Sequence, residues 1–322
     1  MPELSIIMPL YNTENYVAQA IQSLLCQTYK NFELIIVDDA STDQSLEIVK
    51  SFNDSRIKIL TNEKNEGIVF SRNRGLQIAK GKFIAPFDSD DIAMADKFEK
   101  QISFLKTNSE YGMIGSWVKL IDENGDFLKK KWKLNAPAER IAGIMLFRNY
   151  FVQSSVVIRR ESVPRKGYAI GNDIVEDYLM WVDVAEKYKV WNYPEYLVKY
   201  RIHPQSATGS DVIRLQQKDK IVFQIIYNKL GIIIDNQLAE FLLKIKGDKY
   251  IQSLQELKDI DNFLLLILKQ NAKLGKFNQQ ELKKVVFNRW IKSCYKARRL
   301  NAGMLKILLT SPLSKLFISF KL

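Results

Sequence analysis

Short apolar segments alternate with helical patterns along the first hundred residues. The segments LSIIMP, FELIIVDD, RIKIL and KFIAPF are rich in Ile, Val, Leu and Phe, which favour strands. Helical patterns lie between them at about residues 14–26, 42–52 and 66–79, and Gly81 follows the last pattern as a stop signal. Continuously apolar strands that alternate with helices are typical of a parallel sheet covered on both faces. The sequence therefore predicts an α/β fold with a mostly parallel sheet and flanking helices.

The pattern changes in the second half of the chain. Residues 113–133 are β-like, with a turn at 123–125, and SSVVIRR and LVKYRIH are further strand candidates. Residues 141–147 and 176–188 are predicted helices, and after Ser210 only helical patterns rich in Leu, Ile and Lys occur. We place a domain boundary near residues 205–212. The predicted organisation is a first domain with halves 1–110 and 111–208 (1–208 in all), followed by a basic helical region at 209–322.

Composition places the chain among globular proteins with a sizeable core, at 47% hydrophobic and 26% charged residues. Cys26 and Cys294 form no CxxC motif, which argues against a disulfide framework or a structural zinc and suits a reducing compartment. The start, MPELSIIMPLYN, lacks the pattern of a signal peptide, and no apolar run is long enough to span a bilayer. We expect a cytoplasmic protein.

Positive charge is concentrated in the last third of the chain. Residues 212–322 hold 21 Lys and Arg against 8 Asp and Glu, a net +13, so the remaining residues hold 27 against 28, a net −1. From Lys273 onward there are 12 basic residues and one acidic residue, Glu281. This asymmetry predicts a polyanionic partner for the tail, either a membrane surface or nucleic acid.

Polar residues follow three of the predicted strands. PLYN follows the first strand, Asp38 and Asp39 follow the second, and the acidic turn Asp88 to Asp91 follows the fourth. Ligands bind at the carboxyl ends of the strands in sheets of this kind. These three places are therefore the candidate site.

The acidic turn, PFDSDD, has two interpretations. Asp and Ser favour turns and helix N-caps, so the turn could be purely structural. Carboxylates this close repel one another unless a cation lies between them, and such oxygen ligands suit Mg²⁺ or Mn²⁺ that also binds phosphate oxygens. The sequence favours the second interpretation, a divalent metal that holds a diphosphate.

Two further motifs are weaker when each is taken alone. Asp38 and Asp39 precede Ser41, which is suited to cap the next helix, yet a second carboxylate could accept from a ring N–H or a sugar hydroxyl of a nucleotide. In FSRNRG, Arg72 and Arg74 could form a solvated face, or an arginine could balance the charge of a diphosphate.

Taken together and in order, these motifs resemble family 2 glycosyltransferases, which are inverting enzymes of the Rossmann-like GT-A fold. PLYN, QTY, VDDAS, SRNRG and DSDD carry the likeness, and VEDYLMW and YRIHPQS resemble the acceptor half of bacterial members. The resemblance covers about residues 3–206. It implies a nucleotide-sugar half at 1–110 and an acceptor half at 111–208. The narrower likeness is to bacterial β-1,3-N-acetylglucosaminyltransferases of lipopolysaccharide and capsule assembly.

The resemblance implies roles for the residues that match its motifs. Asp39 corresponds to a uracil-binding aspartate that Asp38 supports, and Pro9 and Tyr11 would line the base. Asp88 would lie near the ribose and Asp90 would bind the metal, while Asp91 extends the turn toward the acceptor. Arg72 would lie on the phosphate side. In the Glu176–Asp177 pair, Asp177 is the implied general base and Glu176 would help to raise its pKa.

Two single residues leave alternatives open. His203, the only histidine, is either a structural residue before Pro204 or a late metal ligand or diphosphate contact, as the resemblance allows. Trp181 either stacks on the acceptor sugar or packs in the core. A histidine-rich metal site is excluded because no second histidine exists.

The basic tail interleaves aromatic and cationic residues in FNRWIKSCYKARRL and ends with apolar residues broken by lysines. It is either a solvated helix face or a contact with an anionic membrane into which Trp, Phe and Leu dip. We favour the membrane, and hence a peripheral protein on the inner face of the cell membrane. No RNA- or DNA-binding motif appears, so no nucleic-acid partner is expected.

We expect an enzyme that transfers a hexose or N-acetylhexosamine from a UDP-sugar to a glycan or a lipid-linked glycan acceptor. UDP-GlcNAc is the first candidate donor, followed by UDP-galactose, UDP-glucose and UDP-GalNAc, with residues 113–118 and 153–155 as candidates for donor selection. A non-catalytic sugar-nucleotide binder is the alternative from another class, although the Glu176–Asp177 pair and the acidic turn are intact. A nucleotidyltransferase would need a Lys- or Gly-rich phosphate loop that PLYNTEN lacks.

Overall fold

The computed structural model describes residues 1–169, 171, 175–204, 212–246 and 250–319. The chain divides into two compact units, residues 1–138 with 149–212 and residues 139–148 with 213–322. Most of the predicted boundary at 205–212 lies outside the described residues, as do Gln205 and Ser206 of the YRIHPQS motif.

One sheet organises the first unit. Among the described residues it has nine strands: β1 (Leu4–Leu10), β2 (Phe32–Asp38), β3 (Ile57–Thr61), β4 (Phe83–Pro86), β5 (Ile92–Ala93), β6 (Tyr111–Ile121), β7 (Phe127–Trp132), β8 (Val157–Arg159) and β9 (Lys189–Arg201). The strand order is β3-β2-β1-β4-β8-β6-β9-β5, and β7 pairs with β6. The helices of this unit include α1 (Val17–Leu25), α2 (Ser45–Lys50), α3 (Ile68–Ile78) and α4 (Lys97–Thr107).

The predicted α/β fold with a mostly parallel sheet is confirmed. Strand β1 pairs in parallel with β2 and β4, β2 pairs in parallel with β3, and β6 pairs in parallel with β9 along most of its length. The short strand β8 runs antiparallel to β4 and β6, while β7 and β5 form antiparallel edges. Every residue of β1 and β2 is buried, as the continuous apolar runs predict for strands covered on both faces.

Glycine is required where α3 crosses the sheet. A Cβ at Gly75 would lie 2.5 Å from Cγ2 of Ile7 on β1 and 3.5 Å from Cγ2 of Val37 on β2. The absence of a side chain therefore allows the helix backbone to approach the strands closely. Arg72, one turn earlier on the same helix, is buried as a result of this approach.

The second unit is helical, as the sequence predicts. It contains α5 (Ala138–Ile144), most of which belongs to this unit, α7 (Val212–Asn228), α8 (Asn236–Lys246), α9 (Leu254–Leu274), α10 (Gln279–Lys296), α11 (Asn301–Thr310) and α12 (Pro312–Ser319); α6 (Glu176–Ala185) belongs to the first unit. Among the described helices, none is both long enough and apolar enough to cross a membrane.

The segment 139–148 packs with the C-terminal helices, which the sequence did not reveal. Arg140 forms a 2.9 Å ion pair with Glu281, and Gly143 lies against Leu282. The guanidinium of Arg289 stacks 5.0 Å from the ring centre of Phe147. These contacts insert a short segment from the middle of the sequence into a helical unit formed mainly by its end.

The expectation that Trp290 enters a membrane interface is wrong for this residue. Trp290 is fully buried within the second unit, and its Nε1 donates to Oγ of Ser314 at 3.1 Å. A buried tryptophan with a satisfied N–H is part of the core.

We predict that Gly75→Ala destabilises the protein by about 1–3 kcal/mol, because the added methyl group overpacks the contact with Ile7. At an exposed helix position a change from Gly to Ala stabilises by about 1 kcal/mol. The sign of the change in the free energy of unfolding therefore shows whether the added methyl group is overpacked. Urea denaturation measures the free energy of unfolding. In an Ile7→Ala background the destabilisation caused by Gly75→Ala should be smaller, because the Cγ2 atom that the new methyl group meets is gone. If the Gly75→Ala single variant were as stable as the parent or more stable, the prediction would be wrong.

Candidate active site

The carboxyl ends of β1, β2 and β4 meet at one edge of the sheet. Leu10 lies opposite Asp38 in register, and Ile7 lies opposite Pro86. PLYN, the Asp38–Asp39 pair and the acidic turn are therefore neighbours, as the strand-end rule requires. Pro9 is buried within β1, whereas the side chain of Tyr11 is 45% exposed and available to a ligand.

Asp39 is held by a set of local donors. Its Oδ1 accepts from Nδ2 of Asn62 at 2.6 Å and from the backbone N–H of Glu66 at 2.9 Å, and its Oδ2 accepts from the N–H of Gly67 at 2.9 Å. Asp38 is buried and its Oδ1 accepts from the N–H of Ser41 at 3.2 Å. Asp38 thus supports the loop, and Asp39 is fixed in orientation beside Tyr11.

The acidic turn connects β4 to β5, and its carboxylates lie in two different environments. Asp88 and Asp90 keep partly exposed side chains, whereas Asp91 is fully buried. Burial, with the charge of Asp90, raises the pKa of Asp88, and burial with the charges of Asp90 and Asp88 raises the pKa of Asp91. Three carboxyl groups are thus crowded within four residues of the chain, and their like charges repel one another.

Arg72 joins two of the predicted motifs. Its Nη2 donates to Oδ1 of Asp88 at 2.7 Å, and its Nη1 contacts Oε1 of Glu176 at the start of α6. Its side chain is only 4% exposed, and the ring of Tyr168 lies 5.6 Å from the guanidinium carbon. Burial works against the charge, yet the two carboxylates hold the pKa of Arg72 above its usual range. The side chain is therefore an ion-pair bridge between the acidic turn and α6.

Asp177 has the pKa of a base that works near neutrality. Burial, with the charge of Glu176 beside it, raises the pKa of Asp177 to about 7. Its Oδ2 accepts from Nδ2 of Asn149 at 3.0 Å, and Oδ1 of Asn149 in turn accepts from the N–H of Phe151 at 3.1 Å. Asn149 thus orients the carboxylate, and no motif of the sequence pointed to it.

His203 is brought to the acidic turn by β9. Its Nε2 lies 3.0 Å from Oδ2 of Asp90, and its ring packs 4.7 Å from the ring of Tyr16. The residue is nearly buried. A carboxylate oxygen and an imidazole nitrogen therefore stand side by side at this turn, although they are 113 residues apart in sequence.

Arg201 is a second residue that the sequence analysis missed, although it lies in the quoted YRIH segment. Its Nε donates to the carbonyl of Asp90 at 2.8 Å, and its backbone N–H donates to Oδ1 of Asp91 at 2.8 Å. Its Nη2 donates to Oε1 of Gln19 on α1 at 2.6 Å. A buried arginine that donates in several directions fixes the turn against both β9 and α1.

Two predicted acceptor residues lie where an acceptor does not reach. Trp181 is fully buried in α6, so the structure favours core packing over stacking on a sugar. Asp91 is also fully buried and faces the backbone of Arg201, which makes it a support of the turn rather than an acceptor contact.

Within the described ranges, no group of three or more His, Cys, Asp or Glu side chains is arranged to hold a metal ion. The pair formed by Asp90 and His203 is the nearest approach to such a site at the acidic turn.

The family comparison agrees with the motifs. Residues 5–164 match the model described as "Glycosyl transferase family 2". An uncharacterized glycosyltransferase of Haemophilus influenzae is 32% identical over 279 residues, 79% of this chain and 84% of the relative. The Escherichia coli protein WfgD, named UDP-Glc:alpha-D-GlcNAc-diphosphoundecaprenol beta-1,3-glucosyltransferase, is 34% identical over 239 residues, 73% of this chain and 88% of the relative.

A solved structure supports the fold. The crystal structure of Staphylococcus aureus TarS residues 1–349 in complex with UDP-GlcNAc matches with a TM-score of 0.59 and 17% identity, over 95% of this chain and 92% of that chain. At this level of identity the likeness concerns the fold, which is of the GT-A type. By its family model and its relatives, the chain belongs to glycosyltransferase family 2.

Proposed function

We propose that this glycosyltransferase transfers a hexose or N-acetylhexosamine, with inversion, from a UDP-sugar to a hydroxyl of a glycan or lipid-linked glycan in bacterial surface polysaccharide synthesis. One observation carries the proposal. The buried bridge of Arg72 to Asp88 and Glu176 places the acidic turn on one side of a guanidinium and the start of α6, with Asp177, on the other.

Inversion requires a single displacement at the anomeric carbon of the donor. The acceptor hydroxyl attacks the face opposite the leaving UDP, and its proton passes to a carboxylate within hydrogen-bond reach. Asp177 suits this role because its raised pKa makes it a stronger proton acceptor than an ordinary aspartate. Glu176 contributes negative charge beside it and Asn149 holds its orientation.

A divalent metal, Mn²⁺ or Mg²⁺, fits the acidic turn. Burial and mutual repulsion raise the pKa values of Asp88 and Asp91, which a bound cation would offset, and the Asp90 oxygen and His203 nitrogen provide donors that Mn²⁺ accepts. Asp90 and His203 would hold the ion, with Asp88 close by. A bound metal would neutralise the charge that develops on the leaving diphosphate.

Tyr11 and Asp39 are the proposed contacts of the uracil. Tyr11 is exposed at the end of β1, and the fixed carboxylate of Asp39 lies at the end of the neighbouring strand. Pro9 and Asp38 support these two positions from within the strands. Both oxygens of Asp39 already accept hydrogen bonds from backbone N–H groups. A carboxylate oxygen has two lone pairs, so Oδ2 could also accept a hydrogen bond from the ring N–H of uracil.

The donor is UDP-GlcNAc or UDP-glucose. The likeness to N-acetylglucosaminyltransferases favours the first, and the name of WfgD favours the second. That name also describes an acceptor in which the sugar is attached to a lipid through a diphosphate, which supports a lipid-linked acceptor for this chain.

The second unit supports the proposed contact with an anionic membrane at the inner face of the cell membrane. Leu305 and Leu309 lie one turn apart on α11 and are 51% and 70% exposed. Tyr295 is also exposed, and the guanidinium of Arg298 stacks over its ring at 4.3 Å. Exposed apolar side chains beside cations are the composition that binds lipid interfaces.

We expect kcat/KM to rise with pH through about 7, because the base acts only in its ionised form and burial holds the pKa of Asp177 near that value. Asn149→Ala removes a hydrogen bond to the carboxylate, so the midpoint of this profile should move to higher pH. Asn53→Ala, at an exposed position, is the control and should leave the midpoint unchanged.

Asp177→Asn should lower turnover by about 10²–10⁴-fold. A flat profile across neutral pH in the parent enzyme would exclude Asp177 as the base.

UDP release from a panel of UDP-sugars, with Mn²⁺ and with EDTA, tests the donor and the metal together. We expect metal-dependent release from one donor and a loss of orders of magnitude in Asp90→Asn with the fold intact, since a lost metal ligand weakens leaving-group stabilisation. Asp96→Asn, outside the acidic turn, is the matched control. If UDP also fails to bind in the presence of Mn²⁺, the roles of Asp39 and Asp90 are wrong.

Leu305→Ser combined with Leu309→Ser should weaken sedimentation with anionic vesicles while the circular dichroism spectrum is unchanged, because both side chains are already exposed. Point changes are preferable to removal of the last helices, since Trp290 anchors the core of this unit. Sedimentation equal to that of the parent would rule out α11 as the contact.

A further inference from the structure

The edge strand β7 presents an unusual surface on the first unit. Among the described strands it pairs with β6 alone, and all six of its residues are exposed. Three of them are large and apolar: Phe127, Leu128 and Trp132 are 44%, 38% and 44% exposed. Exposed side chains of this size grouped on one hairpin mark an interaction surface.

Lysines interleave with the rings on this hairpin and its neighbours. The ammonium of Lys131 lies 5.5 Å from the ring centres of both Phe127 and Tyr196, and that of Lys133 lies 4.7 Å above Trp117. The rings of Trp117 and Tyr196 are 5.3 Å apart. The lysine–aromatic face, as we name it, consists of Trp117, Lys119, Phe127, Lys131, Lys133 and Tyr196, flanked by Leu128, Lys129 and Lys130. Trp132 pairs in register with Val118, and its ring lies 5.6 Å from that of Tyr200 on the other face of the sheet.

Acidic residues do not neutralise this face. Strand β7 and the residue after it contain four lysines and no acid. The turn before the strand adds three acids, so residues 119–133 hold five lysines against Asp122, Glu123 and Asp126, a net +2. Glu195 forms a 2.5 Å ion pair with Lys100. The face therefore keeps a net positive charge.

Protection of a sheet edge explains only part of this arrangement. Lysines on edge strands prevent pairing with other chains. Exposed Phe127, Leu128 and Trp132 would have the opposite effect, because they add an apolar surface to the same edge. Lysines and large apolar residues together instead suit a partner that offers both anionic and apolar groups.

We propose that the lysine–aromatic face binds the surface of an anionic phospholipid bilayer. The lysines would meet lipid phosphates, while Phe127 and Leu128 enter the interface, where aromatic and aliphatic side chains are favoured. A soluble polyanion would satisfy the lysines but leave the apolar side chains in water. The combination therefore favours a bilayer.

The hairpin is also tied to the active site. Nη1 of Arg201 donates to the carbonyls of Asp122 and Glu123, in the turn between β6 and β7, at 3.1 and 2.9 Å. Nε of the same residue donates to the carbonyl of Asp90. One arginine thus fixes the hairpin relative to the acidic turn, so a bilayer bound to the hairpin lies at a set distance from the donor site. This consequence rests on the proposed function, since it matters for a lipid-linked acceptor.

Binding of the full chain to vesicles tests the face. Vesicles of phosphatidylcholine with phosphatidylglycerol are the probe, and vesicles of phosphatidylcholine alone are the reference. Each basic residue near an anionic surface contributes roughly a factor of five, so the triple variant Lys129→Gln, Lys130→Gln, Lys131→Gln should bind on the order of 100-fold more weakly. The triple variant Lys30→Gln, Lys64→Gln, Lys80→Gln removes the same charge from exposed positions of the same unit and should bind like the parent.

A local probe separates this face from the second unit. An environment-sensitive dye on a cysteine at position 128 (Leu128→Cys, in a Cys26→Ser background) should shift its emission to the blue when anionic vesicles are added. The same dye at Lys64→Cys should not respond. No shift at position 128, or equal binding by the two triple variants, would overturn the proposal.

A third arm distinguishes lipid from a soluble polyanion. If long-chain polyphosphate bound the face with the same loss in the triple variant, but vesicles produced no blue shift at position 128, the face would be a polyanion site and the bilayer proposal would be wrong. UDP release with a soluble acceptor should stay at the parent level in the first triple variant. Vesicle binding is measured without turnover, so its outcome stands even if the donor assay shows that the proposed function is wrong.

Discussion

The buried guanidinium of Arg72 is the interaction on which the candidate site depends. It lies on α3, which Gly75 allows to pack directly on β1 and β2, and it pairs with Asp88 of the acidic turn and Glu176 of α6. Removing one partner of a buried ion pair leaves an uncompensated charge, which costs about 3–5 kcal/mol. The bridge therefore fixes two chain segments, more than eighty residues apart, relative to one another. Burial, with the charge of Glu176, raises the pKa of Asp177, whereas the nearby charge of Arg72 acts to lower it.

A second arginine performs a similar role on the other side of the turn. Arg201 donates to the carbonyl of Asp90, to carbonyls of the β6–β7 turn and to Gln19 on α1. These bonds hold the acidic turn between the sheet edge and the hairpin that presents the lysine–aromatic face. Buried arginines thus hold the backbone of the turn and the carboxylate of Asp88 in place. Such preorganisation limits the reorganisation that a transfer reaction would otherwise require.

The fold, and the meeting of the motifs at one edge of the sheet, were accessible from sequence for a reason that is local. Continuous apolar runs in β1 and β2 exist because both faces of those strands are covered, and polar residues at their ends mark the edge where ligands bind. Segment 139–148 was not assigned to the helical unit because its short pattern carries no information on which distant helices it contacts. A related reason explains why burial was not predicted for Asp91 and Trp290 and was left as one of two alternatives for Trp181. Burial depends on what packs against a residue, and the residue's own type does not reveal it.

Residue types at short spacing were enough to predict the α/β class, the family and the ordered motifs, among them the acidic turn and the Glu176–Asp177 pair. The contacts that these residues make emerged from the folded chain alone. It gave Arg72 two carboxylate partners, brought His203 to Asp90, and supplied Asn149 and Arg201 as supports. It also gathered lysines and aromatic rings of three strands on one face. Such pairings join residues far apart in the chain, and hydrogen bonds and charge pairing act over a few ångströms of space, which spacing along the sequence does not encode.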